Sequence, residues 1–136
     1  MNWSKRDIEK VRAAAERSEC RRLQVGCLLR VNGGRDFVGW NAPVRGVCSG
    51  KPGKCGCIHA EVRAMSFLLS QPRMVKTIDV LVTDSPCIGC SKSLVGLVER
   101  LGAMLTTAYL REYRLSEGVQ YLAGRGVNVL RLWGEL

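Results

Sequence analysis

The chain is poor in histidine and in aromatic side chains, with one His, three Trp, three Tyr and two Phe in 136 residues. Proteins that hold single-stranded nucleic acid stack successive bases on aromatic rings, and this sequence has few rings to set beside its basic residues. It also has no apolar run long enough to span a bilayer as a helix. The opening Met1-Asn2-Trp3-Ser4-Lys5-Arg6 carries charge without the hydrophobic stretch that a secretory signal needs behind it, so a cytoplasmic protein with no membrane partner is expected. Acidic residues are scarce, 12 against 21 basic ones, and the net charge of +9 points to an anionic partner. Most of the basic residues are Arg, whose planar fork takes phosphate in a bidentate way. Repeats and low-complexity segments are absent. With 46% hydrophobic content the chain is long enough for one core and too short for two ordinary domains, so residues 1–136 are expected to form one domain.

Cysteine is plentiful. There are seven, an odd number, and most fall between Cys48 and Cys90 around the sole His, which favours metal binding over disulfides. Two stretches stand out, His59-Ala60-Glu61 and Ser85-Pro86-Cys87-Ile88-Gly89-Cys90. Together they offer one imidazole, two thiols and one carboxylate. Three such ligands leave the fourth tetrahedral position of Zn²⁺ open to water, whose pKa then falls toward neutrality, and Glu61 is left free to shuttle protons. Cys87 and Cys90, at i and i+3, share one face if helical. Pro86 suits the first turn of that helix, and the positive helix N-terminus favours thiolate. A C-x-x-C pair alone reads equally as a redox pair or half of a structural zinc site. Preceded by H-x-E it becomes far more specific, because H-x-E followed by P-C-x-x-C is the signature of zinc nucleobase deaminases.

Along the chain, Ile8, Val11 and Ala15 at helical spacing predict an amphipathic helix from about Ser4 to Cys20. Leu23 to Val31 and Arg35 to Trp40, separated by Asn32-Gly33-Gly34, predict a β-hairpin. Asn41 to Ile58, with its glycines, prolines and basic residues, reads as an irregular loop. A helix from His59 to about Ser70 should present Ala64, Phe67 and Leu68 to the core and end at Gln71-Pro72. A strand over Ile78 to Thr83, a helix over Cys87 to Leu101, a strand over Ala103 to Tyr109, a helix over Leu115 to Gly124 and a strand over Val127 to Leu132 complete the pattern. Alternation of strand and helix implies parallel pairing through crossovers, giving a mixed sheet between helical layers with sites at helix N-termini.

In order and in spacing the chain resembles the deoxycytidylate deaminases of the cytidine deaminase superfamily, in particular bacterial or viral members. The resemblance rests on Ser18 to Gly26, Gly39-Trp40-Asn41-Ala42-Pro43, His59-Ala60-Glu61, Ser85 to Cys90, and Tyr113-Arg114 with Glu117-Gly118. It implies a three-layer α/β/α sandwich around a mixed five-stranded sheet, and a zinc-dependent hydrolysis of dCMP to dUMP and ammonia in nucleotide metabolism. His59, Cys87 and Cys90 would hold the catalytic zinc. Glu61 would carry a proton from the attacking water to ring N3 and then toward the departing amine. The Ala60 backbone N–H would meet the pyrimidine carbonyl, the Ser85 carbonyl the amino group, and Asn41 the sugar. Ser85 before Pro86 favours this branch over the cytidine deaminases and the transfer RNA adenosine deaminases. Arg63 departs from the family, which usually places Asn there.

The phosphate of such a substrate would be met by Arg22 or Arg45, with Tyr113 closing the pocket, unless these are ordinary solvated residues. Some members of the family are similar in holding a second, structural zinc; Cys20, Cys48, Cys55 and Cys57 would supply it here, or else they are free thiols. Cys27, inside a strand, reads as a small buried hydrophobe. The resemblance also implies a homo-oligomer, a dimer or hexamer. Two other readings compete: a deaminase of a base within single-stranded DNA or RNA, and a non-catalytic zinc-stabilised nucleic-acid-binding module, against which Glu61 stands.

Overall fold

The computed structural model describes residues 2–51, 55–71, 74–113 and 116–132. In chain order the elements are α1 (Lys5–Glu16), β1 (Gly26–Val31), β2 (Arg35–Trp40), β3 (Ala42–Pro43), β4 (Cys57–Ile58), α2 (Ala60–Leu69), β5 (Thr77–Asp84), α3 (Ile88–Leu101), β6 (Met104–Arg111), α4 (Glu117–Gly124) and β7 (Asn128–Arg131). Five strands form one mixed sheet in the order β2-β1-β5-β6-β7. The hairpin β1–β2 is antiparallel, as is β1–β5, whereas β5–β6 and β6–β7 are parallel. Asn32 and Gly33, both at positive φ, turn the hairpin, as the Asn-Gly signal requires.

The sheet is covered on both faces, giving the three-layer α/β/α sandwich. Because side chains alternate along a strand, Leu28, Leu81 and Ala108 meet Ile8 and Val11 of α1 on one face. On the other, Cys27, Leu29, Val80 and Val82 meet Ala64 and Leu68 of α2, Leu94 of α3 and Leu122 of α4. Cys27 is fully buried in this core.

Several boundaries differ from expectation, each for a local reason. The first helix starts on a Ser4–Asp7 capping box but ends at Glu16, short of Cys20. Ser18 leaves the helix because its hydroxyl is shared between the two oxygens of Asn41, both 2.6 Å away. Pro86 lies outside α3, whose N-cap is Cys87. Phe67 is not on the core face of α2 and is 41% exposed; the buried stripe is Ala60, Glu61, Ala64, Met65 and Leu68. The loop from 41 to 58 is not wholly irregular, since Ala42 pairs with Ile58 and Pro43 with Cys57 in a two-stranded ladder. Pro72, Arg114 and Leu115 lie outside the described residues.

Two glycines set the distances that matter for the site. A Cβ on Gly39 would stand 2.5 Å from the Ala60 carbonyl oxygen, so its absence lets β2 lie against the first turn of α2. A Cβ on Gly118 would stand 2.0 Å from the Pro86 oxygen, so α4 packs directly on the turn that leads into α3.

Candidate active site

Two helix N-termini converge beyond the carboxyl end of β5. His59 is the N-cap of α2, yet its side chain makes no capping bond and is free to turn toward α3. Its Nδ1 lies 3.5 Å from Cys87 Sγ and 3.3 Å from Cys90 Sγ. Ligands on one tetrahedral zinc with ordinary bond lengths stand about 3.5–3.8 Å apart, so these three atoms fit a single ion. Charge fits as well. Hydrogen bonds from Cys90 and His59 hold the Cys87 thiol at about 3, while Cys90, facing that thiolate, is pushed up. The same bond to Cys87 raises His59. A cation among these groups would remove the conflict between neighbouring thiolates.

Glu61, in the first turn of α2, is 4% exposed and sits in the stripe that a helix of this kind normally fills with hydrophobes. Burial lifts its carboxyl to about 7, which places proton uptake and release near neutral pH.

His59, Glu61 and Cys87 line a cavity of about 120 Å³, and Ala60, Ser85, Asn41, Arg22 and Tyr113 line it too. Cys90 and Arg45 are not among its lining residues; Cys90 is buried beneath it, whereas Arg45 is exposed on the 41–50 loop. Asn41 is 8% exposed and mostly committed to the protein. Its Oδ1 accepts from the Val25 backbone N–H at 2.8 Å, and its Nδ2 donates to the Leu23 carbonyl at 2.6 Å, leaving one amide hydrogen for a ligand. Ser85 binds the end of β6 and the segment that follows: its N–H donates to the Arg111 carbonyl at 2.9 Å, and its Oγ accepts from the Tyr113 N–H at 2.7 Å.

The remaining sequence candidates gather in a second group. Cys20, Cys48, Cys55 and Cys57 bring their sulfurs within 4.8 Å of one another, with Cys20 3.9 Å from Cys48 and 4.0 Å from Cys55. Backbone N–H groups of Arg21 and Gly50 hold the Cys48 thiol at about 7, while burial pushes Cys57 up. Four sulfurs at this spacing match a closed structural site, in contrast to the three ligands around His59. Cys20, Cys55 and Cys57 also line the cavity.

Three lining residues were not among the sequence candidates: Leu23, Val25 and Asp84. Asp84, 4% exposed at the end of β5, accepts from Arg111 Nε at 2.6 Å and from Thr83 Oγ1 at 3.0 Å. The sequence signal for Asp84 was an acidic residue that closes the strand after the apolar run Val80-Leu81-Val82 and stands directly before Ser85-Pro86-Cys87.

A buried carboxylate and three side chains able to hold one cation, gathered around one small cavity at the helix N-termini of an α/β/α sheet, are the parts of a hydrolytic deaminase of the zinc-dependent class. Residues 1–101 match the family model for the cytidine and deoxycytidylate deaminase zinc-binding region, and the chain belongs to that family. Among solved structures it is similar to the dCMP deaminase from the cyanophage S-TIM5 in complex with dCMP and dUMP, with 25% identity, a TM-score of 0.75, and coverage of 96% of this chain and 100% of that one. The apo form of the same phage enzyme gives a TM-score of 0.72 at 24% identity over 92% of this chain and 93% of that one. The fold also recurs in a diaminohydroxyphosphoribosylaminopyrimidine deaminase/reductase from Thermotoga maritima, with a TM-score of 0.66 at 16% identity, over 91% of this chain and 34% of that one. A search of curated proteins gives no match. No helix among the described residues is long and apolar enough to cross a membrane.

Proposed function

We propose that the substrate is a free cytosine deoxynucleotide, dCMP, hydrolysed to dUMP and ammonia. The observation that carries this reading is the shared lining of one cavity by His59, Cys87 and Glu61 with Ala60, Ser85, Asn41 and Arg22. The first three supply chemistry, the next two backbone polar groups for the edge of a pyrimidine, and Asn41 and Arg22 groups for a sugar and a phosphate. Support also comes from the phage relative, which holds dCMP and dUMP.

His59, Cys87 and Cys90 would hold zinc, which when bound lowers the pKa of water and so supplies a nucleophile at neutral pH. Glu61 takes a proton from the attacking water and delivers it to ring N3. As the bond from oxygen to C4 forms, the ring loses its C4–N3 double bond. Glu61 then carries the remaining proton from the new C4 hydroxyl to the amino group, the C4–N bond breaks, ammonia leaves, and the C4–O bond becomes the uracil carbonyl. The Ala60 N–H holds the pyrimidine carbonyl and the Ser85 carbonyl orients the amine. Arg22 meets the phosphate with Tyr113 beside it; Arg45, away from the cavity lining, has no part in this assignment. The four-thiol group would hold a second zinc, a structural one that also closes one wall of the substrate cavity.

Turnover of dCMP against turnover of a cytosine-containing single-stranded oligonucleotide tests the reading. Ammonia release from the free nucleotide is expected. The net charge of +9 favours the polymer as the other reading, and activity on the oligonucleotide alone would overturn the mononucleotide assignment.

A further inference from the structure

Arg63 does not line the cavity that holds His59 and Glu61, yet it is tied to both sides of it. Its backbone N–H donates to the His59 carbonyl at 3.1 Å, inside the first turn of α2. Its side chain reaches back to the end of β2, where Nη1 donates to the Trp40 carbonyl at 3.3 Å and the guanidinium carbon lies 5.1 Å from the centroid of the Trp40 ring. Arg17, the C-cap of α1, places its own guanidinium 4.5 Å from the same centroid. Trp40 is followed by Asn41 and Arg17 by Ser18, and those two residues are joined by the shared Ser18 hydroxyl. Asn41 in turn fixes Leu23 and Val25, which line the cavity together with Arg22. A chain of contacts therefore runs from the His59 turn through Arg63 and Trp40 to Asn41 and the 22–25 wall. An Arg can lay a planar cation over an aromatic ring and donate a hydrogen bond from its edge at once; Lys offers a point charge with no flat face, and Asn carries no cation.

We propose that Arg63 is a positioning residue for substrate: by locking Trp40 onto α2 it sets the distance between the His59–Glu61 turn and the Asn41 wall that the nucleotide must span. The inference rests on the cavity being the nucleotide site. A residue that serves only the fold would change stability and leave affinity for substrate alone.

Arg63→Ala is expected to raise KM for dCMP about tenfold while kcat per folded molecule changes less than about twofold, since the groups that do the chemistry keep their ligands. Trp40→Ala should do the same, the double variant should be no worse than either single one, and Trp40→Phe, which keeps a ring, should stay near the parent. If Arg63→Ala does not fold, Arg63→Lys carries the test, with a smaller rise in KM expected. Amide exchange at Val25 and Asn41, whose N–H groups bond to Asn41 Oδ1 and the Val25 carbonyl, should accelerate in the same variants. A lowered Tm with KM within about twofold of the parent overturns the proposal, as does unchanged exchange at those two amides. A parent protein that turns over no cytosine nucleotide would fail the substrate reading instead, and the exchange measurement would still decide whether Arg63 holds the Asn41 wall.

Discussion

Glu61 and Phe67 show how far single residues could be read. Counting apolar residues on α2 puts Phe67 in the core and ignores Glu61, whereas the helix turns its Ala60, Glu61, Ala64, Met65 and Leu68 stripe inward and leaves Phe67 outside. Glu61 shares the buried stripe and lines the cavity, a placement that a count of apolar residues does not register. Glu61→Gln should therefore keep the fold and the zinc content while turnover falls by about 10²–10⁴-fold. Ammonia release and elemental analysis on one preparation check it, and parent-like turnover would remove Glu61 from the chemistry. Asn41, a candidate in the sequence, does line the cavity, but its partners were not legible, because Ser18, Leu23 and Val25 reach it across 16 to 23 positions of sequence. Asp84 was missed because a carboxylate at a strand end looks like any surface residue until Arg111 is seen to cover it.

At the scale of elements, the hairpin and the alternating strands and helices were readable from periodicity, whereas close approaches between backbones were not. Gly118 is the clearest case. Gly118→Ala would push α4 off the Pro86–Cys87 turn, and a loss of about 1–3 kcal/mol in chemical denaturation is expected, with faster zinc loss to a chelator. Gly96→Ala, in α3 with nothing within 4 Å of its added carbon, should instead gain about 0.5–1 kcal/mol. A second test concerns how α1 is tied to the sheet. Arg30 on β1 donates to Asp7 at 2.8 Å and to Asp36 at 2.8 Å, and its hydrogen bond holds Asp7 down from 3.8 to about 2, with Asp36 lowered as well. A carboxyl lowered by folding adds stability above its unfolded value and loses it as pH falls through the folded one. Arg30→Met should thus cost about 2 kcal/mol at pH 7, and urea denaturation should show the difference from the parent closing as the pH falls from about 4 toward 2.

For the whole molecule, metal content is the decisive quantity. Elemental analysis should give about two zinc ions per chain, falling to one when Cys55 and Cys57 are both changed to Ser; one ion in the unmodified chain would remove the four-thiol centre and leave the His59 site standing. Self-association is expected too, since Val62 and Leu69 on α2 and Met104 on β6 are exposed, and light scattering that returned a 15.0 kDa particle at micromolar concentration would contradict it. The small β3–β4 ladder that brings Cys57 to the cavity had no signature, because two-residue strands carry no period. His59, finally, gives the molecule a built-in reporter. Its Nδ1 faces the two thiols, so a bound cation would leave the proton on Nε2 and freeze one tautomer, visible in the nitrogen chemical shifts of the ring. With no second imidazole in the sequence, every histidine resonance from this protein, in a crowded extract as much as in a pure sample, is a signal from the cavity that His59 lines.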